Sequence, residues 1–388
     1  MKFENLFQFI NQKDIWHIKD LLLIFNQNIS FNSFADDLGK SIAKYEELIS
    51  LTYQQSICQI NAEQASLIGN GFLGCKNLQY LSLNLSTNKI QDNGATKLFE
   101  CFSECCQLFT LDINFSYNGI TKQGAIGMGK ALKKCQNLSI FHFKLISNKI
   151  KDDGLNELAM GIASCQNLKI ISLYLNDNQI GDLGVQCLGK ELEKNINLNQ
   201  LTLGFNYNLI TNFALFGQVG SLFSLSIKAI TIELCQNKLD QQGAINIATS
   251  LVQFSNLTDL TLDLSLNNIG DETINNLANQ LVQCADLFKF QLNLNQTNIS
   301  DLGIQNLCNS LIILKNLRIL NIGLIDTNIS DQSITNLSYT VHKCANLQIF
   351  SFEIGWLKLS SQIKNRFLKK LKKASKLIDY KINNWKIR

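Results

Sequence analysis

Hydrophobic and polar residues follow one short pattern that recurs along the chain. In the copy that begins at Leu78, leucines come three, five and seven residues later, an asparagine ten residues later and an isoleucine twelve residues later. Alternation with a period of two predicts a β-strand whose leucines face the interior. From Gly94 onward the hydrophobic residues recur at helical spacing, so each copy predicts one strand followed by one helix.

The copies succeed each other at a nearly constant interval. Twelve align, from Ile18 to Leu347, and every step is thirty residues except for one of twenty-nine between Leu198 and Ile227. A fixed period of this length indicates one strand–helix unit stacked into an array, with parallel strands because every unit runs in the same direction. Helices are wider than strands, so we expect an α/β horseshoe-shaped solenoid with a concave parallel sheet and convex helices.

Polar residues occupy two fixed places in the repeat, one at the start of the helix and one in the turn after the strand. An aspartate, such as Asp92 or Asp271, lies where the helix is expected to begin and is predicted to sit at the helix N-terminus. The asparagine at the tenth place can satisfy the polar groups of the turn that leaves the strand, so we predict that this row is buried and structural. The row consists of Asn88, Asn118, Asn148, Asn178, Asn208, Asn237 and Asn267.

The ends of the chain depart from the pattern. Residues 1–17 precede the first copy and are predicted to form a capping segment with a helix, because a terminal repeat has an open apolar face. Residues 18–376 form the predicted repeat array, and residues 377–388 add a strand stub and a basic tail. The helix near residues 213–226, within the one short step, should be the least regular.

The run LSLNLSTNKI, followed by Gly94 and a helix, resembles the repeat of leucine-rich repeat proteins of the ribonuclease-inhibitor-like class. The resemblance covers roughly residues 18–382. The usual repeat has Leu-x-x-Leu-x-Leu-x-x-Asn-x-Leu in 20–29 residues, whereas two extra residues lengthen the strand here. Such arrays can be joined to protein kinases, but no segment matches a kinase glycine-rich loop, catalytic loop or Asp-Phe-Gly motif, so kinase activity is not expected.

The outward-facing polar residues of the concave sheet form the predicted binding site. His142 and Lys144 give a basic spot, while Glu233, Asp259 and Asp263 give an acidic one. Tyrosines and charges on a rigid surface are typical of protein interfaces, although a solvated sheet face is also polar. The predicted protein-binding residues are Asp112, Tyr117, His142, Lys144, Tyr174, Tyr207, Glu233, Asp259 and Asp263.

Cysteine and histidine spacing predicts neither a metal site nor a cofactor. Six of the twelve cysteines share the twenty-seventh place of the repeat, where free cysteine acts as a small apolar residue. Paired short spacings, which zinc sites need, do not occur. The cysteines of this row are Cys75, Cys105, Cys135, Cys165, Cys284 and Cys344.

Charge is distributed unevenly along the chain. Residues 358–388 hold eleven lysines or arginines and one acid, Asp379, for a net charge of +10, although the whole chain has a net charge of +4. These cations are either the solvated face of a capping helix or a weak contact with an anionic surface. Nucleic acid is not an expected partner. The chain has no run of eighteen uncharged apolar residues and no recognisable secretory signal at its start, which predicts a cytoplasmic protein without a transmembrane segment.

No catalytic constellation stands out, so the leading hypothesis is a non-enzymatic scaffold that binds proteins on its concave face. One alternative is a regulator that activates a small GTPase, as some ribonuclease-inhibitor-like repeat proteins do. That activity often needs an inserted arginine, and Arg318 is the one arginine outside the C-terminal region. A second alternative is a structural component of a cytoskeletal assembly, for which the basic C-terminal helix is the only hint.

Overall fold

The computed structural model describes residues 1–12, 17–26, 32–215, 226–251, 254, 256–355, 361–372, 374 and 376–383. It divides the chain into two compact units, Met1–Leu198 and Asn199–Arg388.

The first unit is a parallel sheet whose strands alternate with helices. Its strands are β1 (Lys2–Phe3), β2 (Asp20–Ile24), β3 (Ser50–Gln54), β4 (Tyr80–Asn84), β5 (Thr110–Asn114), β6 (Ile140–Lys144) and β7 (Ile170–Tyr174). Its helices are α1 (Leu6–Ile10), α2 (Asn32–Ala43), α3 (Ala62–Phe72), α4 (Gln91–Ser103), α5 (Lys122–Leu132), α6 (Lys151–Ser164) and α7 (Asp182–Leu192). From β2 onward, residues thirty apart are register partners, as Leu81 is with Leu111.

The second unit has the same organisation. Its strands are β8 (Gln200–Gly204), β9 (Ala229–Glu233), β10 (Asp259–Asp263), β11 (Lys289–Asn293), β12 (Ile319–Gly323), β13 (Ile349–Glu353) and β14 (Asp379–Asn383). Its helices are α8 (Gln241–Leu251), α9 (Asp271–Leu281), α10 (Asp301–Leu311), α11 (Asp331–Lys343) and α12 (Ser361–Leu371). Leu201 is the register partner of Ile230, which confirms the single twenty-nine-residue step. Most of the helix predicted there, at residues 216–225, lies outside the described part of the chain.

The predicted α/β repeat architecture is confirmed. A parallel strand lies in each of the twelve predicted copies, as β2–β13. Leu81, Leu83 and Leu85 are at most 1% exposed, whereas Ser82 and Asn84 on the other side are partly exposed. The period-two alternation therefore assigned the faces of the strand correctly.

The first residues contain more than the predicted helix. Strand β1 pairs in parallel with β2, and α1 follows with only five residues. The ring of Phe9 in α1 packs against those of Phe3 and Tyr45, at centroid distances of 5.3 and 5.7 Å. These contacts cover apolar surface at the start of the array. Residues 13–16 of the predicted cap lie outside the described part, as do residues 384–388 of the predicted tail.

The aspartates at the helix starts connect successive repeats. Asp92 and Asp271 lie in the first turns of α4 and α9, as predicted. The carboxylate of Asp271 accepts the N–H of Ser300 at 2.8 Å, and that of Asp92 accepts the N–H of Thr121 at 2.6 Å. Ser300 and Thr121 are the N-cap residues of the following helices. Each aspartate therefore stabilises the start of its neighbour's helix as well as its own.

Candidate functional site

The outward-facing side of each sheet consists of the first, third and fifth residues of its strands. In β4 these are Tyr80, Ser82 and Asn84, while the second and fourth residues are buried. Because neighbouring strands pair in register, the outward residues form three rows across the sheet. We call the rows of β2–β7 the first sheet face and those of β8–β14 the second sheet face. Seven of the nine predicted site residues lie on these faces.

The first sheet face brings four predicted residues together as two pairs. Lys144 and Tyr174 are register partners, and the Lys144 ammonium lies 5.5 Å from the centre of the tyrosine ring, within cation–π range. His142 is the register partner of Asp112, whose carboxylate accepts the hydroxyl of Ser82 at 3.1 Å. The predicted basic spot is therefore a lysine held over a tyrosine, with the histidine beside a carboxylate.

The two remaining tyrosines lie in turns just beyond the strands. Tyr117 and Tyr207 have left-handed backbone conformations, with φ of 58° and 60°, and their side chains are more than half exposed. The backbone N–H of Tyr117 donates to the carbonyl of Ile146 at 2.8 Å, and that of Tyr207 donates to the carbonyl of Cys235 at 2.9 Å. These bonds fix each turn against the next repeat, so both rings stand at the edge of a sheet face.

The acidic residues of the second sheet face fall into two places. Glu233 and Asp263 are register partners at the ends of β9 and β10. Asp259 lies at the start of β10, about 13 Å along the strand, and accepts the hydroxyl of Thr258 at 2.7 Å. The structure therefore separates Asp259 from the other two members of the predicted acidic spot.

A third carboxylate joins the first two in one cavity. This cavity, of about 310 Å³, is lined by Glu233, Asp263 and Glu353, together with polar side chains such as Asn293. Gly323 lies in the same row between Asn293 and Glu353, and an added Cβ there would lie 2.8 Å from the side-chain oxygen of Asn293. Within the described residues, no cation lines the cavity. The acidic site therefore contains Glu353 in place of the predicted Asp259.

The acidic cavity disfavours the ionised form of one of its carboxyl groups. Burial raises the pKa of Glu233, and the nearby Asp263 carboxylate raises it further. The side-chain amide of Asn206 donates to Glu233 at 3.2 Å and partly offsets these effects. A positive group that entered the cavity would favour ionisation, so the site is electrostatically suited to a cation.

The cysteines of the twenty-seventh place are buried at the ends of helices. The thiol of Cys105 donates to the carbonyl of Phe72 at 3.4 Å, and that of Cys165 donates to Leu132 at the same distance. Burial raises the pKa of both thiols to about 12. Since the thiolate is the nucleophile and the metal ligand, these groups are chemically passive at neutral pH.

We expect cysteine reactivity to follow burial. At pH 8 a thiol-alkylating reagent should modify the exposed Cys106 well before Cys75, Cys105 or Cys165, which peptide mapping by mass spectrometry would show. After denaturation without reductant, all twelve thiols should titrate, because the sequence predicts neither disulfide nor metal. Fewer titratable thiols, or a stoichiometric metal in elemental analysis, would contradict this prediction.

Two features are absent from the described part of the chain. No group of three or more histidine, cysteine, aspartate or glutamate side chains there is arranged to hold a metal ion. No described helix combines the length and the apolar character that crossing a membrane requires.

Comparison with known protein families supports the repeat assignment. Residues 75–99, 166–189 and 256–274 match the family model described as leucine rich repeat. Each matched segment includes a strand of the sheet, namely β4, β7 and β10. No curated protein sequence matches the chain.

Proposed function

The chain is a leucine-rich repeat protein, and we propose that it is a non-enzymatic scaffold that binds a protein partner on the outward-facing side of its sheet. The observation that carries this proposal is the acidic cavity of the second sheet face, where Glu233, Asp263 and Glu353 line one space. Carboxyl groups that lie close together in one cavity favour the entry of a positively charged group. A lysine or arginine of a partner is the simplest source.

Contacts between neighbouring repeats hold the second sheet face in place before any partner arrives. Thr261 donates to the side-chain oxygen of Gln291 at 3.0 Å, and Asn206 donates to Glu233 at 3.2 Å. The short strands restrict the backbone through parallel pairing. Association then requires little additional ordering of this surface, which favours binding.

The repeat itself supports the finer parts of the proposal. A full helix in most described repeats agrees with the ribonuclease-inhibitor-like class. Twelve cysteines, all of them free thiols in the structure, are typical of a reducing compartment, so we propose a cytoplasmic location. We also propose that the segments before β2 and after β13 cap the open ends of the repeat array.

Paired substitutions on each sheet face test the binding surface. The first variant combines Lys144→Glu with Tyr174→Ala, which removes the cation–π pair. The second combines Glu233→Lys with Asp263→Lys and reverses the charge of the acidic cavity. Partners captured by the wild-type protein would be identified by mass spectrometry, and each variant would then be tested with the purified partner. We expect at least one variant to weaken binding about tenfold or more.

Matched controls come from positions outside the strands. Lys343→Glu with Tyr339→Ala removes a comparable cation–π pair in α11, at 5.4 Å, and should leave binding unchanged. Glu63→Lys with Asp286→Lys repeats the charge reversal at exposed positions outside the strands. If both sheet-face variants bind normally while a control variant does not, the proposed surface is wrong. The partner's identity also separates the scaffold from the GTPase-activating and cytoskeletal alternatives.

A further inference from the structure

A second cavity lies between the helices α11 and α12. It has a volume of about 300 Å³ and combines two kinds of lining. Ile334, Ile363 and Phe367 form apolar walls, while Arg366, Lys369 and Lys370 supply three positive charges. Apolar walls with a few charged groups at their edge are typical of small-molecule sites.

The cavity coincides with a departure from the repeat at residue 363. In α4–α11 the equivalent place holds glycine, serine or threonine, and at Gly303 an added Cβ would lie 2.5 Å from the Asp271 carboxylate. In α12 this place holds Ile363, which remains partly exposed. Lys370 likewise takes a place where α10 and α11 have Ser310 and Thr340. Large side chains at places of close helix contact keep the helix surfaces apart, which accounts for a cavity here.

The positive charges of this cavity are not neutralised locally. In the part of the chain that the structure describes, Arg366, Lys369 and Lys370 form no ion pair, and α12 contains no acidic residue. All three side chains belong to exposed residues. The cavity therefore offers an anion three cations within about one turn of helix.

A larger cavity in the first unit has a different balance of charge. It has a volume of about 660 Å³ between α4 and α5, and acidic and basic residues line it in equal number. Two of its lysines pair with glutamates, as Lys97 does with Glu100 and Lys134 with Glu104. Its charges are largely satisfied from within the protein. Volume alone therefore does not indicate an anion site. In the cavity between α11 and α12, by contrast, the described lining residues include three cations and no acid.

We propose that the cavity between α11 and α12 binds a phosphate monoester, with its phosphate at the three cations and its organic part against Ile334, Ile363 and Phe367. A monoester carries nearly two negative charges at neutral pH, and an arginine can hold two of its oxygens at once. The volume of about 300 Å³ favours a small ligand over an extended nucleic acid or an acidic peptide. Both soluble phosphate esters and lipid headgroups present this group.

Phenyl phosphate is a suitable probe because it joins a monoester to an apolar ring. Titration calorimetry of the full chain at pH 7.5 should show saturable binding at one site, with inorganic phosphate weaker by about threefold or more. Arg366→Gln with Lys370→Gln should weaken the binding of phenyl phosphate about tenfold or more. The control, Lys190→Gln with Lys315→Gln, makes the same change in net charge at exposed lysines elsewhere and should bind normally.

A third variant tests the cavity itself rather than its charge. Ile363→Ser introduces the residue type of the preceding repeat, Ser333, and leaves all three cations in place. With the smaller residue α12 can approach α11, so the preference for phenyl phosphate over inorganic phosphate should disappear. Melting temperatures of all variants would establish that they fold. An unchanged preference in this variant, or equal losses in both double variants, would overturn the proposal.

Vesicles distinguish the two sources of the ligand. Phosphatidic acid carries a monoester, whereas phosphatidylserine offers anionic charge without one. Tighter binding to phosphatidylcholine vesicles with phosphatidic acid than to vesicles of equal charge with phosphatidylserine would identify a lipid headgroup. Binding of phenyl phosphate without that vesicle preference would identify a soluble ester. If phenyl phosphate does not bind and both vesicles bind equally, α12 is merely a basic surface and the proposal fails.

Discussion

Replacing Gly161 with alanine should destabilise the first unit by about 3 kcal/mol, at the upper end of the usual cost of overpacking. Helix α6 contacts α5 at this residue so closely that an added Cβ would lie 2.2 Å from the carbonyl oxygen of Gly129 and 2.8 Å from its Cα. All these contacts are with backbone, so no side chain can move aside. The two helices would have to separate, and the strands β6 and β7 on which they pack would be strained with them.

Gly270→Ala provides the matched control for this substitution. Gly270 is the N-cap of α9, has a φ of −131° that any residue can adopt, and has no atom within 4 Å of an added Cβ. Its replacement should change the free energy of unfolding by less than about 1 kcal/mol. Urea unfolding monitored by circular dichroism measures both variants. Equal stability of the two would mean that α5 and α6 are not in the tight contact described.

The repeat frame was predictable because its main signals are local. Leu81, Leu83 and Leu85 alternate with polar residues, and a strand has no other way to bury all three on one side. The same frame identified the twenty-nine-residue step, which the pairing of Leu201 with Ile230 reproduces. Thirty-residue periodicity then implied parallel strands in register without any knowledge of long-range contacts.

The start of each helix was predicted less accurately. The pattern placed the beginning of the helical run at Gly94, but α4 begins at Gln91. The glycine instead marks a close approach to the preceding helix, where its added Cβ would lie 3.0 Å from the Cα of Ala62. Likewise, the hydrogen bond from Ser300 to Asp271 depends on how adjacent helices are staggered, which one repeat alone does not specify.

The candidate sites depended on neighbours that the sequence keeps far apart. Glu353 joins Glu233 and Asp263 because β11 and β12 contribute small or amide side chains to the same row, including Gly323. Asp259 was grouped with them by charge, although a strand places it at the other end of β10. The sequence signal for the cavity between α11 and α12 is the large residue Ile363. This signal can be interpreted only once the glycine, serine or threonine at the same place in α4–α11 is known to make a close contact between helices.

The asparagine row, which is buried as predicted except for the partly exposed Asn237, provides the second large effect. Asn178 is fully buried, and its side-chain nitrogen donates to the carbonyls of Leu145 at 2.8 Å and Leu175 at 3.1 Å. Its side-chain oxygen accepts the N–H of Ile150 at 3.2 Å. Leu145 and Ile150 belong to the preceding repeat, so one amide joins two turns. These contacts confirm that the residue is buried and bonded as the sequence predicted.

Asn178→Ala should therefore lower the free energy of unfolding by about 2–3 kcal/mol, because it leaves several buried backbone groups without partners. Asn197→Ala is the matched control, since Asn197 is exposed and donates to the carbonyl of Gln166 at 3.1 Å. The control should cost less than about 1 kcal/mol, because water can replace that bond. Urea unfolding of the full chain, followed in parallel for both variants, makes the comparison. If Asn178→Ala lowered the free energy of unfolding no more than Asn197→Ala, water would have to reach the turn. The asparagine row would then not be what holds successive repeats together.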